Sequence, residues 1–132
     1  MKEQIRQRAL EAGFDDCRFA GADAPGTLKP FQAWIAEKRF GEMAWMDRTA
    51  EKRSEPQKVL SGARTVICLA SSYFLETPEE SAPSGIVARY ARFDDYHDIM
   101  GERLKLLAEF VTELGGAETR SLWYVDTGPV LE

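Results

Sequence analysis

The sequence has 132 residues, enough for one domain, and 44% of them are hydrophobic, with three Trp, seven Phe and four Tyr. This composition supplies a core and excludes a long disordered chain. The formal net charge is −5, so no overall positive field attracts nucleic acid, whose binding depends on Lys and Arg. We therefore expect one folded domain over residues 1–132, with contacts to any RNA made by a segregated basic patch or by another part of the protein.

The two cysteines, Cys17 and Cys68, lie far apart and outside any CxxC pair, unlike the ligands of zinc or iron–sulfur sites. Because each lies in an apolar stretch, we expect two buried free thiols. The N-terminal segment is a charged amphipathic helix and not a signal peptide. No apolar run approaches the roughly 20 residues that span a bilayer. These features predict a cytoplasmic protein that makes no use of a membrane and has no metal site of its own.

The first part of the chain predicts a helix, a strand and a second helix. Ile5 and Ala9 lie on one stripe of a helix that Gly13 ends. Residues 14–20 are short and contain aromatics, as is typical of a strand. A second helix begins near Thr27, which can cap it. The apolar face of that helix consists of Phe31, Trp34 and Ile35.

An apolar cluster of Met43, Trp45 and Met46 follows, surrounded by charged residues. Two interpretations stay open for it. It is either a satellite cluster that pins a long connection to the core, or a surface that packs a large ligand or a partner. The basic residues after it form either a solvated helix face or a cationic rim for amide or phosphate groups.

The second part of the chain predicts two further strands, a helix and a last strand. Residues 65–71 are apolar and rich in β-branched residues, which indicates a central strand covered on both faces, and residues 76–85 predict a surface loop. A strand over 86–91, a long helix capped by Asp94 or Asp95, and a strand over 118–126 complete the order. The predicted fold class is α/β or α+β, a single layered domain with a mixed sheet flanked by helices.

One polar constellation lies at the predicted junction of strand and long helix. Residues 89–97 contain arginines, tyrosines and the one histidine of the chain, His97. The first backbone N–H groups of a helix are unpaired within it, and polar side chains around them suit a polar ligand. The alternative is an ordinary capped helix whose amphipathic aromatics reach water.

A second constellation surrounds Asp126, at the end of the last predicted strand and before Gly128 and Pro129. The carboxyl ends of strands in α/β sheets often present side chains to a ligand. Burial would raise the pKa of such a carboxyl group and make it a proton donor. The alternative is a structural aspartate that accepts N–H bonds of the turn.

Five segments together resemble the epoxyqueuosine reductase family, in its order and at about its spacing, over essentially the whole chain. They are GFDDCRFAG, the segment from Trp34 through MAWM, the stretch from Arg48 through RSEP before VLSGARTVICLASSYF, RYARFDDYH, and VDTGPVLE.

The resemblance implies the N-terminal portion of an enzyme that reduces epoxyqueuosine to queuosine in tRNA, using cobalamin and iron–sulfur clusters of the 4Fe–4S type. It assigns Asp126 the role of general acid toward the substrate. A positioned acid suits this reaction because loss of the epoxide oxygen develops negative charge on oxygen. The residues that the resemblance raises for the corrin pocket are Arg53, Tyr96 and His97, with Arg89 and Tyr90 beside them.

The cluster-binding cysteines of the family, of the CxxCxxCxxxCP type, are absent from this sequence. We therefore expect a truncated piece rather than a natural stand-alone domain, which does not turn over without the iron–sulfur part. Two alternatives remain: a non-catalytic domain that binds a corrinoid or a protein, and a related corrinoid reductase of a small substrate. Asp126 would be dispensable in the first, and the sequence beyond Glu132 would identify the second.

Overall fold

The computed structural model describes residues 1–74 and 87–131. Its regular elements are the helices α1 (Lys2–Glu11), α2 (Leu28–Ala36), α3 (Ala44–Arg48), α4 (Ala50–Ser54) and α5 (Tyr96–Gly115), and the strands β1 (Asp16–Gly21) and β2 (Thr65–Ala70). Short 3₁₀ turns lie at Pro56–Lys58 and Arg89–Arg92. Helices combined with a small sheet confirm the predicted fold class. No helix among these residues is both long and apolar enough to cross a membrane.

β1 and β2 pair with each other in an antiparallel sheet. The backbone N–H of Asp15, just before β1, donates to Ala70 O at 2.8 Å, and that of Ala22, just after β1, donates to Arg64 O at 3.3 Å. The start of one strand therefore lies beside the end of the other. The predicted loop over residues 76–85 falls outside the described residues.

The surroundings of β2 differ from the prediction. Its residues are half-buried or exposed, and Cys68 is exposed, whereas Cys17 in β1 is buried as predicted. A strand is covered on both faces only where other layers pack on it, and within the part of the chain that the structure describes β2 pairs with β1 alone. The predictions of a fully covered strand and of a buried Cys68 thiol are therefore wrong.

Two predicted strands are absent from the described residues. Residues 87–88 are irregular and Arg89–Arg92 form a 3₁₀ turn, while residue 86 is not described. Residues 118–126 form turns and irregular backbone, and Leu122 and Trp123 are exposed. An apolar composition favours a strand, but a strand also requires a neighbour that takes up its backbone hydrogen bonds.

The described chain forms two compact units. These units do not test the prediction of one domain over residues 1–132. The first unit comprises residues 1–18 and 69–125. In it α1 packs on α5. The buried side chains of these two helices are Ile5, Ala9, Leu104 and Leu107. Helical spacing places them on facing stripes, and Gly116, with φ 87°, follows directly after the last residue of α5.

The second unit comprises residues 19–68 and 126–132. α2 begins after Thr27, as predicted, and buries Phe31, whose ring stacks on that of Trp34 with 6.2 Å between centroids. α2 and α3 each contact α4. Met43 and Trp45 are 40% and 50% exposed and Met46 is half-buried, so both interpretations of their cluster stay open.

Candidate functional site

The start of α5 carries the first polar constellation. Asp95 is the N-cap, as predicted for one of the two aspartates, and its Oδ1 accepts the backbone N–H of His97 at 2.9 Å. The same oxygen lies 2.8 Å from Nδ1 of His97. The bond from the backbone N–H of His97, followed by the bond to its ring, holds the pKa of Asp95 below its ordinary value. A carboxylate thus caps the helix and orients the imidazole.

Tyr96 and His97 form one aromatic pair at this helix start. Their ring centroids are 4.2 Å apart and the ring planes are tilted by 31°. Tyr96 is 45% exposed and Tyr90, on the preceding 3₁₀ turn, is 69% exposed. The backbone of Arg89 begins that same turn. The structure therefore brings two of the predicted pocket residues into contact and places the turn that carries the other two just before them in the chain.

The predicted general acid lies in irregular backbone. Asp126 has φ 42°, a left-handed conformation that is uncommon for a residue other than glycine and that often occurs at functional sites. Val125 before it and Gly128 after it are buried, whereas Asp126 itself is exposed. The expected strand end and buried carboxyl group are therefore not found in the described chain. Asp126 therefore lies in an exposed turn between two buried residues.

Arg53 contacts the segment that follows Asp126. Its Nη1 donates to Val130 O at 3.0 Å, and its Nε donates to Thr49 Oγ1 at 3.0 Å. Thr49 Oγ1 in turn donates to Trp45 O at 2.7 Å. The sequence did not identify Thr49 and Val130 as partners of Arg53. A spacing of four along a helix would have pointed to Thr49, but no sequence signal points to a carbonyl 77 residues away.

The predicted site residues divide between the two units. Asp126 and Arg53 belong to the second unit, and the Tyr96–His97 pair, Arg89 and Tyr90 belong to the first. Among residues 1–74 and 87–131, no three His, Cys, Asp or Glu side chains are grouped as metal ligands.

Two surface depressions in the first unit have volumes of about 410 Å³ each. Ser71, Ser72, Tyr73 and Phe74 line one of them. Residues of α1, together with Phe110, line the other. Neither depression is lined by a predicted site residue.

Comparison with known proteins gives one consistent family. Residues 53–127 match the family described as epoxyqueuosine reductase QueG, DUF1730. The chain is similar to the epoxyqueuosine reductases of Gloeobacter violaceus, with 39% identity over 98% of the chain and 40% of the relative, and of Escherichia coli, with 30% identity over all of the chain and 36% of the relative. The chain thus spans well under half the length of these curated relatives.

Two solved structures show the same likeness. A crystal structure of epoxyqueuosine reductase with an epoxyqueuosine-modified stem loop of tyrosine tRNA matches with a TM-score of 0.80 and 26% identity, over 98% of this chain and 35% of that one. The enzyme of Bacillus subtilis matches with a TM-score of 0.67 and 27% identity, over 89% of this chain and 32% of that one. In the latter structure a catalytic loop named for its aspartate is swung out of the active site.

Proposed function

The chain belongs to the epoxyqueuosine reductase family, and from this membership we propose that it is the N-terminal portion of an enzyme that reduces epoxyqueuosine to queuosine in tRNA. The observation that carries the proposal is the family match over residues 53–127, which includes both Arg53 and Asp126. The solved relative with a modified tRNA stem loop supports tRNA as the substrate. A cytoplasmic location is part of the proposal because tRNA is the substrate.

Asp126 is the proposed proton donor to this substrate, the role that the family resemblance assigns to it. Removing the epoxide oxygen as water consumes two protons and two electrons, and the departing oxygen develops negative charge as its carbon–oxygen bond breaks. A carboxylic acid within hydrogen-bond reach lowers that barrier by giving up its proton. Asp126 lies in an exposed turn, where a large polynucleotide can approach it.

We also propose that residues 126–131 correspond to the aspartate-bearing catalytic loop of the Bacillus subtilis relative. The support is that Asp126 occupies irregular backbone with a positive φ. A turn of this kind can change position without disturbing a helix or a strand.

Neither surface depression of the first unit is enclosed enough to hold a corrin. A cobalamin is larger than a drug-sized ligand, for which enclosing pockets measure roughly 300–1,000 Å³. The two depressions, of about 410 Å³ each, are open to solvent and lie away from the predicted pocket residues. The proposal that the enzyme uses cobalamin and iron–sulfur clusters therefore rests on family membership. The corrin-pocket residues stay predictions: Arg53, Arg89, Tyr90, Tyr96 and His97.

The direct test is a chimera in which this chain replaces the matching N-terminal part of the Gloeobacter violaceus enzyme. We expect the reconstituted chimera to reduce epoxyqueuosine in a tRNA stem loop, and this chain alone to give no turnover. The unaltered Gloeobacter enzyme, prepared in parallel, controls for cofactor loading and reductant. The proposal is contradicted if a chimera that carries its cofactors does not reduce epoxyqueuosine in the stem loop.

The same preparation separates the two alternatives. Cobalamin binding without any reduction would indicate a non-catalytic corrinoid domain. Faster reduction of a small epoxide than of the stem loop would indicate a reductase of small substrates.

A further inference from the structure

We propose that Arg53 is a positioning residue that fixes the segment 126–131 and thereby sets the place of the Asp126 carboxyl group. The inference rests on the function proposed above, and it gives Arg53 a role that is distinct from contact with a corrin. Arg53, Asp126 and all the contacts on which the proposal depends lie in the second unit.

The guanidinium group of Arg53 is held at two nitrogens. Nε donates to Thr49 Oγ1 and Nη1 donates to Val130 O, both at 3.0 Å. Thr49 is itself fixed by the bond from its hydroxyl to Trp45 O. Because a guanidinium is planar and rigid, fixing Nε also fixes the direction in which Nη1 points. The group therefore reaches Val130 in one orientation, and Arg53 is half-buried.

The helix that carries Arg53 is held in place within the second unit. Arg53 lies on α4, where its backbone N–H donates to Thr49 O at 3.0 Å. α4 contacts α2, α3 and the 3₁₀ turn at Pro56–Lys58. Ser54, the next residue along α4, is buried, and its hydroxyl donates to Ala50 O at 2.8 Å. Arg53 is therefore held in place where it contacts residues 126–131.

The segment that Arg53 contacts depends on such bonds. Residues 126–131 contain no helix or strand, so the regular hydrogen bonds of secondary structure do not hold them. A hydrogen bond from a charged donor is stronger than one between neutral groups. Fixing Val130, four residues after Asp126, limits how far the turn at Asp126 can move. An acid displaced by about 1 Å is expected to lose roughly 10²-fold in rate.

The first test measures the segment itself, in this chain. Arg53→Met keeps a long apolar stem and removes both donated bonds. We expect deuterium uptake over residues 124–131 to become roughly tenfold faster or more, as loss of a charge-assisted hydrogen bond predicts. Arg39→Met is the matched control, since Arg39 is an exposed arginine of the same unit whose ion pair with Glu37 is on the surface. Unchanged uptake over α2 shows that the unit remains folded.

The second test measures catalysis in the Gloeobacter chimera. We expect Arg53→Met to lower the single-turnover rate by about 10²-fold with little change in KM, and Arg53→Lys to lose less, because an ammonium can still donate to Val130. In a protein that already carries Asp126→Asn, the same Arg53→Met change should alter the rate by less than about twofold, since two residues that act through one step are not additive.

Three outcomes overturn the inference. Unchanged uptake over residues 124–131 shows that Arg53 does not hold the segment. Full additivity with Asp126→Asn, or a loss of cobalamin occupancy in the Arg53→Met chimera, shows that Arg53 acts on the reaction or the cofactor directly. A normal rate for Asp126→Asn alone instead removes the proposed acid, and it does so without altering the uptake result, so the two failures are distinguishable.

Discussion

Arg103 and Gly13 are joined by a hydrogen bond that brings the guanidinium group close to where a side chain at Gly13 would begin. Nη1 of Arg103, on α5, donates to Gly13 O at 2.7 Å, across 90 residues of sequence. A Cβ atom added to Gly13 would lie 3.1 Å from the guanidinium carbon of Arg103. Gly13 has φ 95°. The sequence predicted only that this glycine ends the first helix. The same glycine thus ends α1 and receives the arginine of a distant helix.

Gly13→Ala is expected to destabilise the chain by about 1–3 kcal/mol, because an alanine there combines an unfavourable φ with a tight contact to Arg103. Chemical denaturation measures the change in unfolding free energy. Gly26→Ala is the control, since a Cβ at Gly26 meets nothing within 4 Å and its φ is not in the positive range. Its effect should stay within about 0.5 kcal/mol. Equal effects of the two substitutions would contradict the role given to Arg103.

The N-cap of α5 should make the folded chain less stable at acid pH. The folded state holds the pKa of Asp95 below its ordinary value, so the stabilisation is present above the unfolded pKa and is lost as pH falls through the folded pKa. Asp95→Asn keeps a capping oxygen that does not titrate. We expect the wild-type Tm to exceed that of Asp95→Asn at pH 6 and the gap to close below about pH 4. A gap that stays constant from pH 6 to pH 3 would show that the charge of Asp95 does not stabilise α5.

Asp126→Asn in the Gloeobacter chimera should lower single-turnover reduction of epoxyqueuosine by roughly 10²–10⁴-fold, the usual contribution of a general acid. The amide has nearly the same shape but cannot supply a carboxylic proton. Protein that is reduced in advance separates the chemical step from electron delivery. Asp23→Asn removes another exposed carboxylate of the same unit and should leave the rate unchanged. Near wild-type rates for Asp126→Asn would leave it as a structural turn residue.

Cobalamin should bind weakly to this chain by itself, with a Kd above the micromolar range. A large ligand gains affinity when a pocket encloses most of its surface, and the depressions of the described residues are open. Absorbance titration or calorimetry measures the affinity, with the loaded chimera as the positive control. Sub-micromolar binding to the chain alone would show that the pocket is complete within these residues.

Much of the fold follows from local sequence signals. The end of α1 and the starts of α2 and α5 agree with the prediction because glycines, N-cap residues and a 3.6-residue apolar period act within a few residues of one another. The family motifs are local in the same sense, since each is a short segment whose residues and spacing can be read directly. Asp95 as N-cap and the pairing of Tyr96 with His97 belong to this class.

The strands show where local reasoning fails. Residues 65–71, 86–91 and 118–126 have similar strand-like compositions, yet only the first of these segments contains a strand among the described residues. β2 forms because β1 takes up its backbone hydrogen bonds, and a partner of this kind cannot be read from the composition of one segment. For the same reason the exposure of Cys68 depends on what packs over β2.

The sequence by itself determined α1, α2 and α5, the N-cap of α5 and the family to which the chain belongs, because each depends on residues close together along the chain or on a short ordered motif. Only the tertiary structure decided that Arg103 bonds to Gly13 and that Arg53 bonds to Val130. These pairs are 90 and 77 residues apart, and a backbone carbonyl carries no residue-specific signal. Which carbonyl an arginine reaches depends on how helices and turns pack, and packing depends on contacts between distant parts of the chain.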